Sequence, residues 1–224
     1  MVSDAPTALG DSDFQAFDFE AMLPLDRYRI MTSTVVPRPI AWVVTRGATG
    51  VVNAAPYSFF NVLGDDPVVV ALGILSLGGG AASFKDTSAN IIKTREFVVN
   101  LVPERLAAAM NATCVDAPPG VSELKLAGLA TVPSLKIAPP RIVASPVAFE
   151  CRVLHAIETG PRQLVVLGAV VQAHLARDYL SGDPARPRVD TPALGLVGRM
   201  HGRGVYARTT DLFEMDRPGP WAPG

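Results

Sequence analysis

The chain has 224 residues, with 20 Lys and Arg against 21 Asp and Glu, so its formal net charge is −1. This balance leaves no basic excess for a nucleic-acid footprint and argues against nucleic acid as a partner. Hydrophobic residues make up 49% and charged residues 18%, a composition that predicts a well-packed globule rather than a disordered chain. The length favours one domain, which we assign to residues 20–210, between an arm at 1–19 and a tail at 211–224.

Three features bear on location and on metal binding. Cys114 and Cys151 are far apart and fit neither a disulfide framework nor a metal-ligand spacing, so we expect two reduced thiols and no metal site. The first residues are polar and acidic and lack the basic patch and apolar run of a signal peptide. The apolar run 68–77 is too short to span a bilayer and fits a buried strand. We therefore expect a cytoplasmic protein that has no membrane contact.

Strand signals dominate the chain and predict a mainly β protein. Segments rich in Val and Ile, separated by Gly, Pro and Asp turns, lie at 35–45, 51–54, 68–75, 96–101, 142–157 and 164–175. The segments 147–157 and 164–175 predict a long hairpin, a unit that builds barrels. The stretch 28–61 has the character of a barrel wall.

Helical signals are fewer and lie between the strands. They predict three short helices, at 87–94, 104–114 and 122–128. Thr87 or Ser88 is the expected N-cap of the first helix, and Pro103 suits the first turn of the second. The segment 178–192 contains three prolines and is predicted to be a surface loop.

The candidate chemistry lies in polar groups and bare backbone. The chain contains no GxSxG, HExxH, P-loop or GxGxxG motif, so it has no nucleophile elbow, zinc site or dinucleotide fingerprint of those types. Pro37 and Pro39 instead fix two φ angles around Arg38, whose guanidinium suits a phosphate or a carbonyl oxygen. The segment 53–61 packs amide, hydroxyl and aromatic groups into nine residues. A planar ring system with a charged tail would use all of these groups.

Four sequence blocks, in this order and spacing, resemble the flavin reductase-like, FMN-binding split-barrel family and especially its flavoredoxin-like branch. The blocks are residues 36–41, 53–60, 85–94 and 96–100. The resemblance covers roughly residues 20 to 210. It implies a Greek-key split β-barrel with short helical insertions, FMN bound at a homodimer interface, and two-electron flavin chemistry with NADH or NADPH as a transient co-substrate.

The residues are physically suited to that cofactor. Its phosphate carries about two negative charges, which Arg38, Ser58, Lys85 and Thr87 could meet together with the N-terminal amides of the helix that follows Lys85. The flavin ring is expected on the backbone of residues 35–39, and Asn53 could hydrogen-bond its pyrimidine edge. The complete predicted cofactor set is Thr32, Val36, Pro37, Arg38, Pro39, Asn53, Ala55, Tyr57, Ser58, Lys85, Asp86 and Thr87.

His201 is the candidate catalytic residue. It lies in a glycine-rich segment with Arg199, Arg203 and Arg208 nearby, and family members often place a histidine beside the nicotinamide in a similar segment. The alternative is a surface or interface histidine. His155 and His174 fall in the predicted hairpin and are expected to be structural.

Two classes of function remain open from the sequence. The first is an NAD(P)H-dependent flavin reductase that transfers hydride from nicotinamide C4 to flavin N5, with a partner monooxygenase or another electron acceptor downstream. The second is a flavoredoxin-like electron carrier, or an FMN-binding module that has no turnover. In either case we expect a two-fold homodimer, in which the acidic arm 11–20 covers the exposed cofactor edge of the neighbouring subunit.

Overall fold

The computed structural model describes residues 10–75, 86–115, 117–118 and 120–219 of the chain. The strands in these ranges are β1 (Ala41–Arg46), β2 (Val52–Tyr57), β3 (Phe60–Asp65), β4 (Val68–Leu75), β5 (Glu96–Asn100), β6 (Thr131–Val132), β7 (Arg141–Ile142), β8 (Val147–Gly160), β9 (Gln163–Leu175), β10 (Leu180–Asp183), β11 (Arg186–Val189), β12 (Val197–Arg199) and β13 (Tyr206–Arg208). The helices are α1 (Pro24–Thr34), α2 (Asp86–Thr94), α3 (Ala107–Ala112), α4 (Glu123–Leu126) and α5 (Thr191–Leu194). Among the described helices, none has the length and apolar character needed to cross a membrane.

A seven-stranded antiparallel sheet organises the fold, in the order β2-β1-β5-β8-β9-β4-β3. The edge strands β2 and β3 are consecutive in the chain and are separated only by Ser58 and Phe59. So short a connection requires the sheet to roll until its two edges meet at this corner, where Gly73 N donates to Phe59 O at 2.7 Å. No ladder joins β2 to β3 in the described ranges. The predicted mainly β architecture is confirmed, as a strongly curved and open sheet.

The core lies on both faces of this sheet. Successive side chains of a strand point to opposite faces, so β1 supplies Trp42 and Val44 to one cluster and Ala41 and Val43 to the other. The first cluster also takes Met110 of α3 and Leu124 of α4, whereas the second takes Ile91 of α2. The short helices therefore cover the sheet and close its core.

The long hairpin predicted from the sequence is confirmed as β8 and β9, which pair along almost their whole length. The β5 side chain Phe97 is fully buried, and its ring lies against Gly168 of β9. A Cβ built on Gly168 would be 2.6 Å from Phe97 Cζ, so only glycine leaves room for the ring.

The largest error of the sequence interpretation is at the start of the barrel wall. The region 24–34 is the helix α1, and β1 begins only at Ala41 rather than at residue 35. The run of β-branched residues favours a strand, but Thr32 and Thr34 direct their hydroxyls to the carbonyls of Tyr28 and Ile30 inside the helix. Residues 35–40 form a loop with a cis Val36–Pro37 peptide bond.

Several boundaries also differ from the prediction. The strand predicted at 51–54 runs to Tyr57 through Pro56, which an edge strand tolerates because one side of it needs no ladder donor. The predicted loop 178–192 is wrong, because this region contains a 3-10 turn, the β10–β11 hairpin and α5. The strand β3 was not predicted, since its side chains are mostly exposed and lack alternation.

The helices near the cofactor motifs are close to the prediction but start elsewhere. Helix α2 begins at Asp86, so Thr87 and Ser88 lie within it and are not its N-cap. The helix predicted at 104–114 is a 3-10 turn, Glu104–Leu106, followed by α3. Helix α4 follows Ser122 as predicted, although the Ser122 hydroxyl bonds to Val52 O instead of capping the helix.

Candidate functional site

Arg38 is the centre of the first group of predicted site residues, although its side chain is only 6% exposed. Its Nη1 donates to Thr32 O at 2.7 Å and to Val35 O at 2.8 Å, its Nη2 to Met200 O at 2.9 Å, and its Nε to Ser58 Oγ at 3.3 Å. Four of the five N–H donors are therefore used within the protein. We call Thr32, Val35, Arg38, Ser58 and Met200 the Arg38 cluster.

The β12–β13 hairpin packs against the loop that carries Arg38. Arg38 N donates to Arg199 O at 2.9 Å and Arg199 N donates to Arg38 O at 2.8 Å, so the two backbones form an antiparallel bridge. A Cβ on Gly198 would be 2.9 Å from Pro37 Cβ, which shows how closely the segments approach. The hairpin is thus fixed to the loop at Pro37 and Arg38. In that loop Val36 is half-buried, while Pro37 and Pro39 are exposed.

His201 lies at the exposed tip of this hairpin, directly after Met200. Two of the neighbouring arginines already have partners. Arg199 stacks over the Tyr206 ring at 4.8 Å, and Arg208 forms a two-pronged ion pair with Glu104. Arg203 is exposed beside His201. The structure thus brings His201 to the same region as the Arg38 cluster.

A second group of predicted residues lies on β2, where Asn53, Ala55 and Tyr57 share one face by strand alternation. Asn53 is buried, and its Nδ2 donates to Asp86 Oδ2 at 3.2 Å and to Glu123 Oε1 at 3.3 Å. Its Oδ1 accepts from Asn90 Nδ2 at 3.5 Å. We call Asn53, Asp86, Asn90 and Glu123 the Asn53 cluster.

Tyr57 is the half-buried phenol on that face. Burial raises the pKa of Tyr57 to about 12; a hydrogen bond with Thr87 opposes this rise, and the Glu123 carboxylate adds to it. The phenol therefore stays protonated at neutral pH and can donate a hydrogen bond. Since Tyr57 immediately precedes Ser58, β2 connects the Asn53 cluster to the Arg38 cluster over about 16 Å of extended chain.

The first turn of α2 lies beside the Asn53 cluster. Asp86 and Thr87 are in this turn, and Thr87 is buried. Ser88 is 1% exposed, and within the described residues its hydroxyl has no hydrogen-bond partner. A buried hydroxyl without a partner is uncommon and calls for an explanation, such as an ordered water or a bound ion. The predicted phosphate residue Lys85 lies outside the described residues.

Four residues at the site were not selected from the sequence: Ser88, Asn90, Glu123 and Met200. Glu123 comes from α4, about 70 positions after its partner Asn53. No local spacing signals such a contact. Asn90 was part of a sequence block but was not assigned a role, and Met200 acts through its carbonyl oxygen, which no side-chain pattern can indicate.

The other two histidines lie on the hairpin, away from these clusters. His174 Nε2 is 2.6 Å from Glu150 Oε1, and this fully buried carboxylate also accepts from Leu135 N and Lys136 N, each at 2.7 Å. His155 is exposed on β8. The group around Glu150 holds the segment before β7 against the sheet, which is a structural task.

Residues 31–190 match the family model described as flavin reductase like domain. The chain is also similar to nitrilotriacetate monooxygenase component B from Bacillus cereus, at 30% identity and a TM-score of 0.83, over 90% of this chain and 98% of that one. It is 32% identical to the 2-nitrobenzoate 2-nitroreductase of Pseudomonas fluorescens, with a TM-score of 0.82, over 94% and 99% of the two chains.

A third structure identifies the architecture. A protein from Shewanella frigidimarina, described as a candidate flavin reductase with a split barrel domain, superposes with a TM-score of 0.76 at 17% identity. The alignment covers 92% of this chain and 100% of that one. At this identity the likeness bears on the fold alone, and it confirms the split barrel.

Proposed function

Because the chain belongs to the flavin reductase-like family, we propose that it binds FMN along β2 and acts as an NAD(P)H-dependent flavin reductase. The observation that carries this proposal is the convergence of three predicted elements on one region. These elements are the loop around Arg38, the β2 face with Tyr57, and the first turn of α2. They come from three separate segments of the sequence and meet around one strand.

The first turn of α2 is the proposed phosphate site. Helix α2 has nine residues, and its N-terminal amides carry the partial positive charge that favours an anion. The Ser88 hydroxyl, which has no hydrogen-bond partner among the residues that the structure describes, supports a further polar group at this position. We assign Lys85, which immediately precedes the helix, as the charged partner on the basis of the sequence alone. The described residues of this turn therefore offer backbone amides and hydroxyl groups to a phosphate monoester, and Lys85 would supply the positive charge.

The flavin ring is assigned to the region between Tyr57 and the loop 35–39. Arg38 holds this loop through bonds to both neighbouring segments, so the loop backbone is fixed before any ligand binds. Its internal bonds make Arg38 mainly an organiser of the site, and one of its five N–H groups makes no bond within the described part of the chain. The Tyr57 phenol, protonated at neutral pH, is assigned as a donor to the bound cofactor.

FMN supplies the two-electron redox chemistry when it is bound. The protein's part is to bind and orient the two reactants and to exclude water, and it requires no side-chain acid or base. His201, at the tip of the β12–β13 hairpin, is assigned to the nicotinamide. No dinucleotide-binding fingerprint is present in the sequence, so NADH or NADPH is proposed to bind transiently.

Two acceptors are supported by the similar proteins. The likeness to a monooxygenase component B favours delivery of reduced flavin to a partner monooxygenase. The equally strong likeness to a nitroreductase favours reduction of an aromatic nitro compound as the second candidate. A flavoredoxin-like electron carrier that keeps its FMN remains the alternative within the family.

One set of measurements separates these functions. Oxidation of NADH and of NADPH is followed with free FMN, free FAD or 2-nitrobenzoate as acceptor, and flavin retention is measured after desalting. Turnover with free flavin supports the reductase, and turnover with the nitro compound alone supports the second candidate. Tight FMN retention without turnover identifies the carrier. Absence of FMN binding contradicts the proposal as a whole.

We also propose a homodimer, because apolar side chains near the site are exposed. Tyr28, Met31 and Val35 of the α1 region are 47%, 43% and 54% exposed, and Phe14 of the arm is 65% exposed. A second copy would cover them. Light scattering at micromolar concentration with FMN tests this assembly, and a monomer contradicts it.

A further inference from the structure

The carboxylate of Glu123 binds the edge strand β2 from the side. Glu123 is 8% exposed; its Oε2 accepts from Ala54 N at 3.1 Å and its Oε1 from Asn53 Nδ2 at 3.3 Å. The adjacent Ser122 hydroxyl donates to Val52 O at 2.6 Å. Glu123 of α4 and the preceding Ser122 therefore cover the open edge of the sheet with their side chains. Only the contact of Glu123 continues into the candidate site.

The side-chain amide of Asn53 is fully used by this arrangement. One N–H points to Glu123 and the other to Asp86, while the carbonyl oxygen accepts from Asn90. Asn90 in turn donates to the buried Thr45 hydroxyl at 3.1 Å. An amide has two N–H donors, so Asn53 cannot donate to a ligand without giving up one of these carboxylates. Asn53 therefore links the Glu123 carboxylate to the Asp86 carboxylate.

We propose that Glu123 is a positioning residue that sets the first turn of α2 for the cofactor phosphate, acting through Asn53 and Asp86. The inference rests on the proposed function, since it concerns the phosphate site of that function. Asp86 is the first residue of α2, and the Asn53 amide holds its carboxylate. Glu123 fixes that amide in the orientation that donates to Asp86.

The charge of Asp86 gives this restraint its importance. A carboxylate in the first turn interacts favourably with the helix dipole, but it repels a phosphate that binds to the same turn. The hydrogen bond from Asn53 stabilises the Asp86 carboxylate and fixes its direction. Without Glu123 the amide loses one of its two acceptors and can rotate, so Asp86 loses a fixed donor. The predicted loss is confined to the part of FMN affinity that depends on the phosphate.

The variant Glu123→Gln tests the role at nearly constant size. The Glu123 carboxylate accepts one bond on each oxygen, whereas a glutamine amide has a single acceptor oxygen. Its NH₂ group must therefore face either Ala54 N–H or the Asn53 amide, which places two donors against each other. Ser122→Ala is the matched control, because it removes the other contact of α4 with β2 and leaves the route to Asp86 intact. If circular dichroism shows that Glu123→Gln is unfolded, Glu123→Asp replaces it. This variant keeps the negative charge, but its side chain is one methylene shorter and cannot reach the same partners.

The measurement is the ratio of riboflavin Kd to FMN Kd, obtained by flavin fluorescence quenching for folded wild-type and variant proteins. We expect the wild type to bind FMN more tightly than riboflavin. In the Glu123 variant the ratio of riboflavin Kd to FMN Kd should fall about tenfold, while the riboflavin Kd stays within about twofold of the wild-type value. Ser122→Ala should keep the wild-type ratio. A general loss of stability would lower both affinities together.

Two results would overturn the inference alone. In the first, the Glu123 variant keeps the wild-type ratio or loses both affinities equally. In the second, Ser122→Ala lowers the ratio as much as the Glu123 variant does, so that loss of edge cover explains the effect. If the wild type itself binds riboflavin and FMN equally, the proposed phosphate site fails, and the role of Glu123 fails with it.

Discussion

Arg38 Nη2 donates to the carbonyl oxygen of Met200 over 2.9 Å, across 162 positions of sequence. The same guanidinium binds the carbonyls of Thr32 and Val35 at the end of α1, where the helix dipole favours a positive charge. One side chain thus joins the first helix, the loop after it and the last hairpin. The candidate catalytic histidine follows directly after Met200, so its location depends on Arg38.

Replacement of Arg38 should therefore lower stability strongly. We expect Arg38→Ala to reduce the free energy of unfolding by about 2–4 kcal/mol, because it leaves carbonyl oxygens of the Arg38 cluster without donors. Arg38→Lys should recover only part of this loss, since an ammonium cannot reproduce the planar fork. Urea unfolding provides the measurement, and Arg46→Ala, at the exposed end of β1, is the control. An unchanged midpoint for Arg38→Ala would show that these bonds contribute little.

A second prediction concerns the contact of Phe97 with Gly168. We expect Gly168→Ala to destabilise the protein by about 1–3 kcal/mol, because a Cβ at this position would be 2.6 Å from the Phe97 ring and the core around it is closely packed. Gly160→Ala is the control on the same hairpin, since a Cβ there meets no atom within 4 Å. Thermal unfolding compares the two variants.

A double variant separates this clash from other effects of the new methyl group. In Phe97→Leu the smaller side chain leaves space at Gly168, so Gly168→Ala should cost less in that background than in the wild type. If Gly168→Ala lowers stability equally in both backgrounds, its effect does not come from the contact with Phe97 and has another origin, for example the β8–β9 pairing.

Sequence patterns predicted the sheet better than the site. The strands β4, β5, β8 and β9 follow from apolar runs with clear turn signals, because burial of a strand acts directly on its own residues. Helix α1 was missed because its β-branched threonines favour a strand when read alone, and tertiary contacts with Arg38 stabilise its last turn instead.

The roles of Arg38 and Asn53 show where such prediction stops. Both were selected as polar residues in unusual positions, and both were expected to face a ligand. In the structure most donors of Arg38 and both donors of Asn53 serve other parts of the protein. The partners Met200 and Glu123 are remote in sequence, so no local pattern distinguishes an organising residue from a ligand-binding one.

Acid should destabilise the protein partly through Glu150. Burial tends to raise the pKa of this carboxyl, but hydrogen bonds from Leu135 N, His174 and Lys136 N outweigh it and leave the pKa below the usual 4.5. A group with a lowered folded-state pKa contributes stability that is present above its unfolded pKa and is lost as pH falls through the folded value. The contribution of Glu150 to the free energy of unfolding should therefore be intact above about pH 4.5 and decline below it.

Glu150→Gln tests this dependence. We expect it to lower the free energy of unfolding by about 2 kcal/mol at neutral pH, since bonds to a charged acceptor contribute about 1.5–3 kcal/mol each. It should also flatten the decline of stability below pH 4.5. Urea unfolding at several pH values measures both effects. Glu158→Gln, at an exposed position of β8, is the control. An equally steep decline in the Glu150 variant would assign acid sensitivity to other carboxyls.

The last prediction concerns His201, which is exposed at the tip of the β12–β13 hairpin and has no assigned role in holding the fold. If it contacts the nicotinamide, His201→Ala should slow flavin reduction by NADH or NADPH by about 10²-fold, because misplacing a bound reactant by about 1 Å can cost that much. FMN affinity should stay near the wild-type value, since a group that acts only with the second substrate makes no contact with the cofactor beforehand. Rapid-mixing absorbance reports flavin bleaching directly, and Arg203→Ala at the same tip shows whether any change in this turn has the same effect. Bleaching at the wild-type rate would make His201 a surface residue, whereas loss of FMN would move it into the cofactor pocket.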